Sequence, residues 1–262
     1  MTHARKILIA LWPPALVLIA AIVVMGIWAK MLAEPFMLPT PQAVAQVMVE
    51  RRGELLASLW TTTQAALIGF LASAISGVAV GMALSASTLV RRAFYPYTVF
   101  FQTVPIVAIA PLLMIWCGPG LTAVSLCAFV VSVFPVISST LSGLLSTDPA
   151  LEDLFRLYGA SPWARQWKLK LPYALPSIFT GLRVAAGLAV IGTVVGEFLV
   201  GLFGQEEGLG VRIVSAKKQG RTAEVFAAVL IASLLGLAMF ACINLAAKLL
   251  LGRWHASEQE QR

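Results

Sequence analysis

Six apolar runs dominate this chain: Ile7–Ala29, Thr61–Ser85, Phe94–Trp116, Leu121–Leu145, Ser177–Leu202 and Val225–Leu251. Roughly 20 such residues, wound as a helix, cross the hydrocarbon core of a bilayer. Inside that layer every backbone N–H and C=O must find a partner within the protein, which leaves helices as the spanning form for runs of this length. The pattern therefore predicts an all-α, polytopic membrane protein with six transmembrane helices in a single domain, residues 1–262. Composition agrees, because a chain that is 59% hydrophobic and 12% charged is far too apolar for a soluble domain of this size. The first run follows Arg5 and Lys6 as a signal peptide would, but it is longer than an h-region and no small-x-small cleavage site follows it. An uncleaved first helix is expected, and six spans put both termini on one side.

The basic residues choose that side. With the termini inside, the cytoplasmic set is Arg5, Lys6, Arg91, Arg92, Arg156, Arg165, Lys168, Lys170, Lys248, Arg253 and Arg262, against Lys30, Arg51, Arg52, Arg212, Lys217, Lys218 and Arg221 outside. The excess places both termini in the cytoplasm. The net charge of +7 comes from residues flanking spans, so it points to a membrane and not to nucleic acid.

Several chemistries are missing from the sequence. No Gly-x-x-x-x-Gly-Lys-Ser/Thr occurs, so the chain has no P-loop to cradle ATP phosphates, and there is no HExxH or Gly-x-Ser-x-Gly. His3 and His255 lie at the two ends, and Cys117, Cys127 and Cys242 are scattered in apolar segments without metal-ligand spacing. No catalytic residue, metal or cofactor is expected.

The polar exception lies at Asp148–Pro176, DPALEDLFRLYGASPWARQWKLKLPYALP. Asp148 with Pro149 behind it suits a helix N-terminus. Leu151, Leu154, Phe155 and Tyr158 then fall at i, i+3, i+4 and i+7, one apolar stripe. Gly159 stands where a left-handed residue would end that helix, and Ser161-Pro162 opens another. Pro172 and Pro176 are expected to separate this unit from the fifth span. A short amphipathic helix beside a membrane bundle is suited to dock into a partner.

This stretch resembles the cytoplasmic coupling loop of bacterial ABC importer permeases, whose pattern is Glu-Ala-Ala, three residues, Gly, about nine residues, then apolar-x-Leu-Pro. Gly159 fits the glycine, Leu169 the apolar position and Leu171-Pro172 the Leu-Pro, with the loop covering 148–172. Asp153-Leu154-Phe155 stands where Glu-Ala-Ala is usual. The resemblance implies a permease in the bacterial inner membrane, built on the type I importer plan and paired with an identical chain. It also implies two ATP-binding subunits and a periplasmic or lipid-anchored solute-binding protein. Asp153, Phe155, Arg156, Tyr158, Gly159, Leu171 and Pro172 would form the ATPase-coupling surface.

Other segments carry weaker signals. Met37–Ser58 reads as an amphipathic segment on the outer surface, stopped by Pro39 and Pro41 and helical from Gln42. In the third span, Pro105 and Pro111 each remove a backbone donor and would bend or interrupt the helix. Broken helices often line transport pathways, so Gln102, Thr103, Pro105 and Pro111 are candidates for that role; two kinks in a packed helix are the equal alternative. Gly69, Ser73, Ser76, Gly77 and Gly81, and likewise Gly181, Gly187, Gly192 and Gly196, predict close helix packing. Arg183 and Glu197 are the ionisable groups well inside a span: Arg183 can snorkel inward, whereas Glu197 could line the outer vestibule or hydrogen-bond a neighbouring helix. The glycines of 201–210 predict a turn-rich loop, with Val211–Lys218 a short surface helix.

The start Leu38-Pro39-Thr40-Pro41, the pair Trp116 and Gly118, and Gly208-Leu209-Gly210 all resemble the permease branch for sulfonates, taurine, nitrate and thiamine precursors. The FQTVP and IAPLL stretches and the RWHAS ending most resemble permeases for thiamine pyrimidine precursors or riboflavin. Two other classes fit the bare pattern: an ion-coupled secondary transporter, for which Glu197 alone would supply a carboxylate, and a membrane scaffold without flux.

Overall fold

The computed structural model describes residues 3–32, 34, 36–202 and 208–251, and among them the regular structure is entirely helical. In order the helices are α1 (His3–Leu32), α2 (Pro41–Glu50), α3 (Arg52–Ala86), α4 (Thr88–Thr103), α5 (Ile106–Cys117), α6 (Leu121–Leu145), α7 (Pro149–Leu157), α8 (Pro162–Arg165), α9 (Leu171–Leu202), α10 (Leu209–Lys218) and α11 (Thr222–Leu251). A π-helical turn, Gln166–Lys170, joins α8 to α9.

α6 is the axis of the bundle, with α3 on one side and α9 on the other. Small residues decide both contacts. A Cβ on Gly77 would lie 2.7 Å from that of Val136, and one on Gly81 2.7 Å from that of Thr140. On the opposite face, a Cβ on Gly181 would run into Ser139 and the Pro135 carbonyl, and one on Gly192 would lie 2.7 Å from the Cys127 carbonyl. Lipid tails are as apolar as leucine, so helices in a membrane gain by close backbone approach and dispersion contacts more than by escape from water. Gly187, expected in the same stripe, differs: nothing lies within 4 Å of a Cβ built there. Ala66, Phe70, Ala128, Ala185, Ala189 and Met239 fill the centre, the last brought in by α11.

Among the described residues four helical stretches are long and apolar enough to cross a membrane: Arg52–Ala86, Leu121–Leu145, Pro162–Leu202 and Thr222–Leu251. α4 and α5 pass the same measure only when taken together, and they meet at a bend of 96°, as a broken span or a re-entrant loop does. The first expected span falls in α1, of which Ile19–Leu32 is a shorter apolar helix by the same measure. A count of six is thus not reached on these helices.

Three boundaries depart from the sequence reading. Pro172 and Pro176 do not separate the polar loop from the fifth span, because helix runs unbroken over the 41 residues Pro162–Leu202. The π-turn explains this: Leu171 N–H reaches back to the Gln166 carbonyl, five residues away, so the prolines enter a register already shifted. Pro172 follows that shifted turn directly, and the Pro176 carbonyl accepts from Thr180 Oγ1 at 3.0 Å. Second, Met37–Ser58 is not one segment: α2 ends at Glu50 and α3 starts at Arg52, ahead of the apolar run at Thr61. Third, Pro111 sits within α5 without interrupting it. The RWHAS ending and residues 203–207 lie outside the described residues.

Candidate functional site

At the end of the bundle where α3 and α6 finish and α9 begins, α7 is built from local signals. Asp148 Oδ1 accepts from Ala150 N at 2.8 Å and Pro149 occupies the first helical position. The helix closes with Gly159 at φ +71°, the Gly159 N–H on the Arg156 carbonyl at 2.9 Å and the Ala160 N–H on the Phe155 carbonyl at 3.0 Å. These paired bonds form a Schellman motif, which ends a helix by turning the chain sharply through a left-handed residue. Ser161 Oγ then accepts from Ala164 N at 3.2 Å and starts α8.

No residue of α7 is buried. Leu151 is 38% exposed, Leu154 46% and Tyr158 84%, so three of the four residues of the predicted stripe are exposed. What holds α7 is one short ion pair, Lys170 Nζ to Glu152 Oε1 at 2.6 Å, supported by Arg156 between Glu152 at 3.9 Å and Asp153 at 3.7 Å. Below it, Gln166 Nε2 donates to Ser85 Oγ at 2.7 Å and pins the start of the long helix to the end of α3. Glu152, Arg156 and Lys170 line a cleft of about 690 Å³ with Trp163 and Trp167. The expected coupling residues thus fall in two places: Asp153, Phe155, Arg156, Tyr158 and Gly159 on the projecting unit, and Leu171 and Pro172 in the first turn of α9 beneath it.

The bend between α4 and α5 occurs at Val104–Pro105, both in extended conformation. Proline forces the residue before it out of the helical region and donates no hydrogen bond of its own. Thr103 Oγ1 returns to the Phe100 carbonyl at 2.7 Å, occupying one orphaned acceptor. Around the break a cavity of about 360 Å³ is lined by Phe101, Gln102, Thr103, Pro105, Phe134 and Leu188. It lies halfway along α6 and α9, at mid-depth in the bundle. Gln102, Thr103 and Pro105 are brought together there, whereas Pro111 and Glu197 are not among its walls.

Glu197 is 2% exposed and serves the opposite end of the bundle. Its Oε2 accepts from Thr62 Oγ1 at 2.9 Å and from the Gly210 N–H at 2.9 Å, while Leu209 N–H donates to the same Thr62 hydroxyl at 2.9 Å. The first backbone donors of α10, which has no side-chain cap of its own, are thereby satisfied from α3 and α9. A Cβ on Gly208, at φ +101°, would overlap the Glu197 carboxylate, and one on Gly210 would lie 2.7 Å from Glu197 Cβ. Gly-Leu-Gly is therefore the cradle of a buried carboxylate. Half of α10 is buried with it, Leu209, Val211 and Val214 included, so it is no surface helix.

Beside it stands an ion cluster that the sequence did not reveal. Glu224, 1% exposed, receives Arg212 at 3.0 Å, Arg221 at 2.9 Å and Arg51 at 3.3 Å. Arg212 also reaches Glu54 at 2.6 Å and Ser58 Oγ at 3.1 Å. The one available signal was that these basic residues share their loops with Glu54 and Glu224, which says nothing about pairing. Arg183 is half-buried and its Nε lacks a hydrogen-bond partner among the described residues.

Comparison with known proteins follows this geometry. The family described as binding-protein-dependent transport system inner membrane component matches residues 73–255. The formylaminopyrimidine transport permease protein ThiX of Halalkalibacterium halodurans is 34% identical over 232 residues, 88% of this chain and 91% of its own. The riboflavin transport system permease protein RibX of Chloroflexus aurantiacus is 32% identical over 228 residues, 85% and 82% of the two chains. Among solved structures, an inward-facing MetNI methionine ABC transporter superposes with TM-score 0.59 over 76% of this chain and 98% of that one, at 18% identity, a likeness of fold.

Proposed function

The chain belongs to the binding-protein-dependent inner-membrane components, the multi-pass permease subunits of ABC importers for small solutes, and from that premise we propose that α7 is its lever. Two identical copies would form the translocation unit, with α1 completing six spans in each and both termini in the cytoplasm. Two separate ATP-binding subunits would receive α7 from below, and a solute-binding protein would deliver from outside. The observation that carries this reading is a capped, sharply terminated helix with no buried residue, tied by Lys170–Glu152 to the base of a 41-residue helix. Closure of the ATPases would push on Phe155 and Tyr158. Arg156 and Asp153 would orient the helix, and the Leu171-Pro172 turn would carry the displacement into α9.

Irregular backbone at membrane depth is tolerated where it lines a cavity, and the break at Pro105 beside its cavity of about 360 Å³ supports placing the pathway there. With Phe101, Phe134 and the amide-bearing Gln102 in its wall, its chemistry suits a planar, nitrogen-bearing heteroaromatic solute. A thiamine pyrimidine precursor or riboflavin would meet it, and the names of the relatives above point the same way. Glu197 has a structural part in this account, as the anchor of α10.

The test is a gentle-detergent pull-down of the tagged chain with mass spectrometry of its companions. An ATP-binding-cassette subunit should travel with the wild type and be lost with Gly159→Val, a β-branched residue at a left-handed position. A chain that purifies without an ATPase, where a known ABC complex survives, would favour the ion-coupled alternative. For the solute, uptake of labelled formylaminopyrimidine should fall at least tenfold in Phe101→Ala. Equal inhibition by taurine, sulfonate or nitrate would contradict the aromatic assignment.

A further inference from the structure

A second cleft opens at the same end of the bundle as α7, between the first two turns of α4 and the last two of α6. It holds about 670 Å³ and is walled by Arg91, Arg92, Tyr95, Ser138, Ser142 and Leu141. Its electrostatics are opposite in kind to those of the cleft under α7. There Lys170 and Arg156 are spent on Glu152 and Asp153, which leaves Arg165 as the one lining cation without an ion pair among the described residues. Here no carboxylate lines the wall, and neither arginine is ion-paired among the described residues. Two guanidiniums side by side, a phenol and two serine hydroxyls one helical turn apart are donors suited to the oxygens of a phosphate group. Tyr95 and Pro96 continue the wall along α4 away from that end of the bundle, with Phe94 and Tyr97 exposed beside them, so an acyl chain would gain there and a soluble anion would gain nothing.

We propose that this cleft binds the headgroup of an anionic phospholipid, its phosphate on Arg91 and Arg92 and its upper acyl chain along α4. A basic pocket between transmembrane helices at the membrane surface recognises such headgroups by charge and by the phosphate donors together. The site adjoins the α3–α4 corner that Gln166 pins through Ser85, so a bound lipid would brace the base of the lever. Only the assignment to the inner leaflet rests on the orientation proposed above.

The assembled complex, purified in detergent, is titrated with phosphatidylglycerol or phosphatidylcholine, and retained lipid is counted by native mass spectrometry. Each cation near an anionic headgroup is worth about a fivefold preference, so R91Q/R92Q should lose roughly twenty-five-fold in selectivity for phosphatidylglycerol. R91K/R92K should keep most of it, and R52Q, at the far end of α3, should keep all of it. Equal retention of both lipids by the wild type, or unchanged selectivity in R91Q/R92Q, would overturn the proposal. Displacement of phosphatidylglycerol by millimolar inorganic phosphate would also overturn it, assigning the site to a soluble oxyanion. The readout needs no ATP and no coupling, so its failure is separate from a failure of the lever reading.

Discussion

The two polar ends of this molecule are built on opposite rules. α7 and its turn are shaped by contacts between near neighbours in sequence, a cap two residues away, a Schellman motif within five and ion pairs at i+3 and i+4, and the Lys170–Glu152 pair ties them to the bundle. Its outward face is bare. α10 is held from other helices, by Glu197 13 residues from Gly210, Thr62 147 residues from Leu209 and Glu54 158 residues from Arg212, and its inward face is buried. The difference teaches how one chain keeps one end ready for a partner while fixing the other. A helix that folds from its own signals can stand free until something docks on it. A helix with no cap of its own can exist only against the bundle.

If that contrast is right, the largest effect of any single change belongs to the α10 end. Glu224→Ala leaves three arginines without their buried carboxylate and should lower the stability of the whole protein by about 3–5 kcal/mol, seen as a fall in the thermal midpoint in detergent. An unchanged midpoint would break the comparison at its stronger half. Next comes Glu197→Leu, which strands the Gly210 N–H and half of the Thr62 bonding and should cost about 1–3 kcal/mol. Glu197→Gln keeps an acceptor and sharpens the point: near wild-type stability would assign Glu197 to capping alone.

Changes at α7 should act without moving the global midpoint. Gly159→Val puts strain of about 1–3 kcal/mol into the turn, and its expected result is lost ATPase capture with unaltered melting. Asp148→Ala removes a cap worth about 1 kcal/mol, read as faster amide exchange over Pro149–Leu157 alone. The smallest expectation is Arg156→Ala, whose exposed pairs should leave melting unmoved. A global loss of stability in any of these three would show that α7 is wired into the core after all.

The same contrast explains what could be read from the sequence. Asp148-Pro149, Gly159 and Ser161-Pro162 declare α7 and α8 by spacing alone, because capping is a local matter. The apolar runs likewise announce a helical membrane bundle. Pro172 and Pro176 misled because the π-turn that admits them is set by the joint between α8 and α9, which no residue type marks. Glu197 stood out as a charge in a span, but its partner Thr62 lies in another helix and could not be named. The glycines of α3 marked the contact with α6; Gly187 matched them in type, yet it faces open space. Composition cannot tell a small residue that packs from one that merely is small.

The central claim is that α7 stands free in the permease and is covered by an ATP-binding subunit, while α10 is fixed in the protomer. Hydrogen exchange over both helices, measured in the permease alone and in the assembled complex, tests it most directly. The account predicts fast exchange in Pro149–Leu157 that becomes strongly protected on assembly, with Leu209–Lys218 protected in both states. Exchange in α7 that is slow from the start, or unaffected by the ATPase, would contradict it.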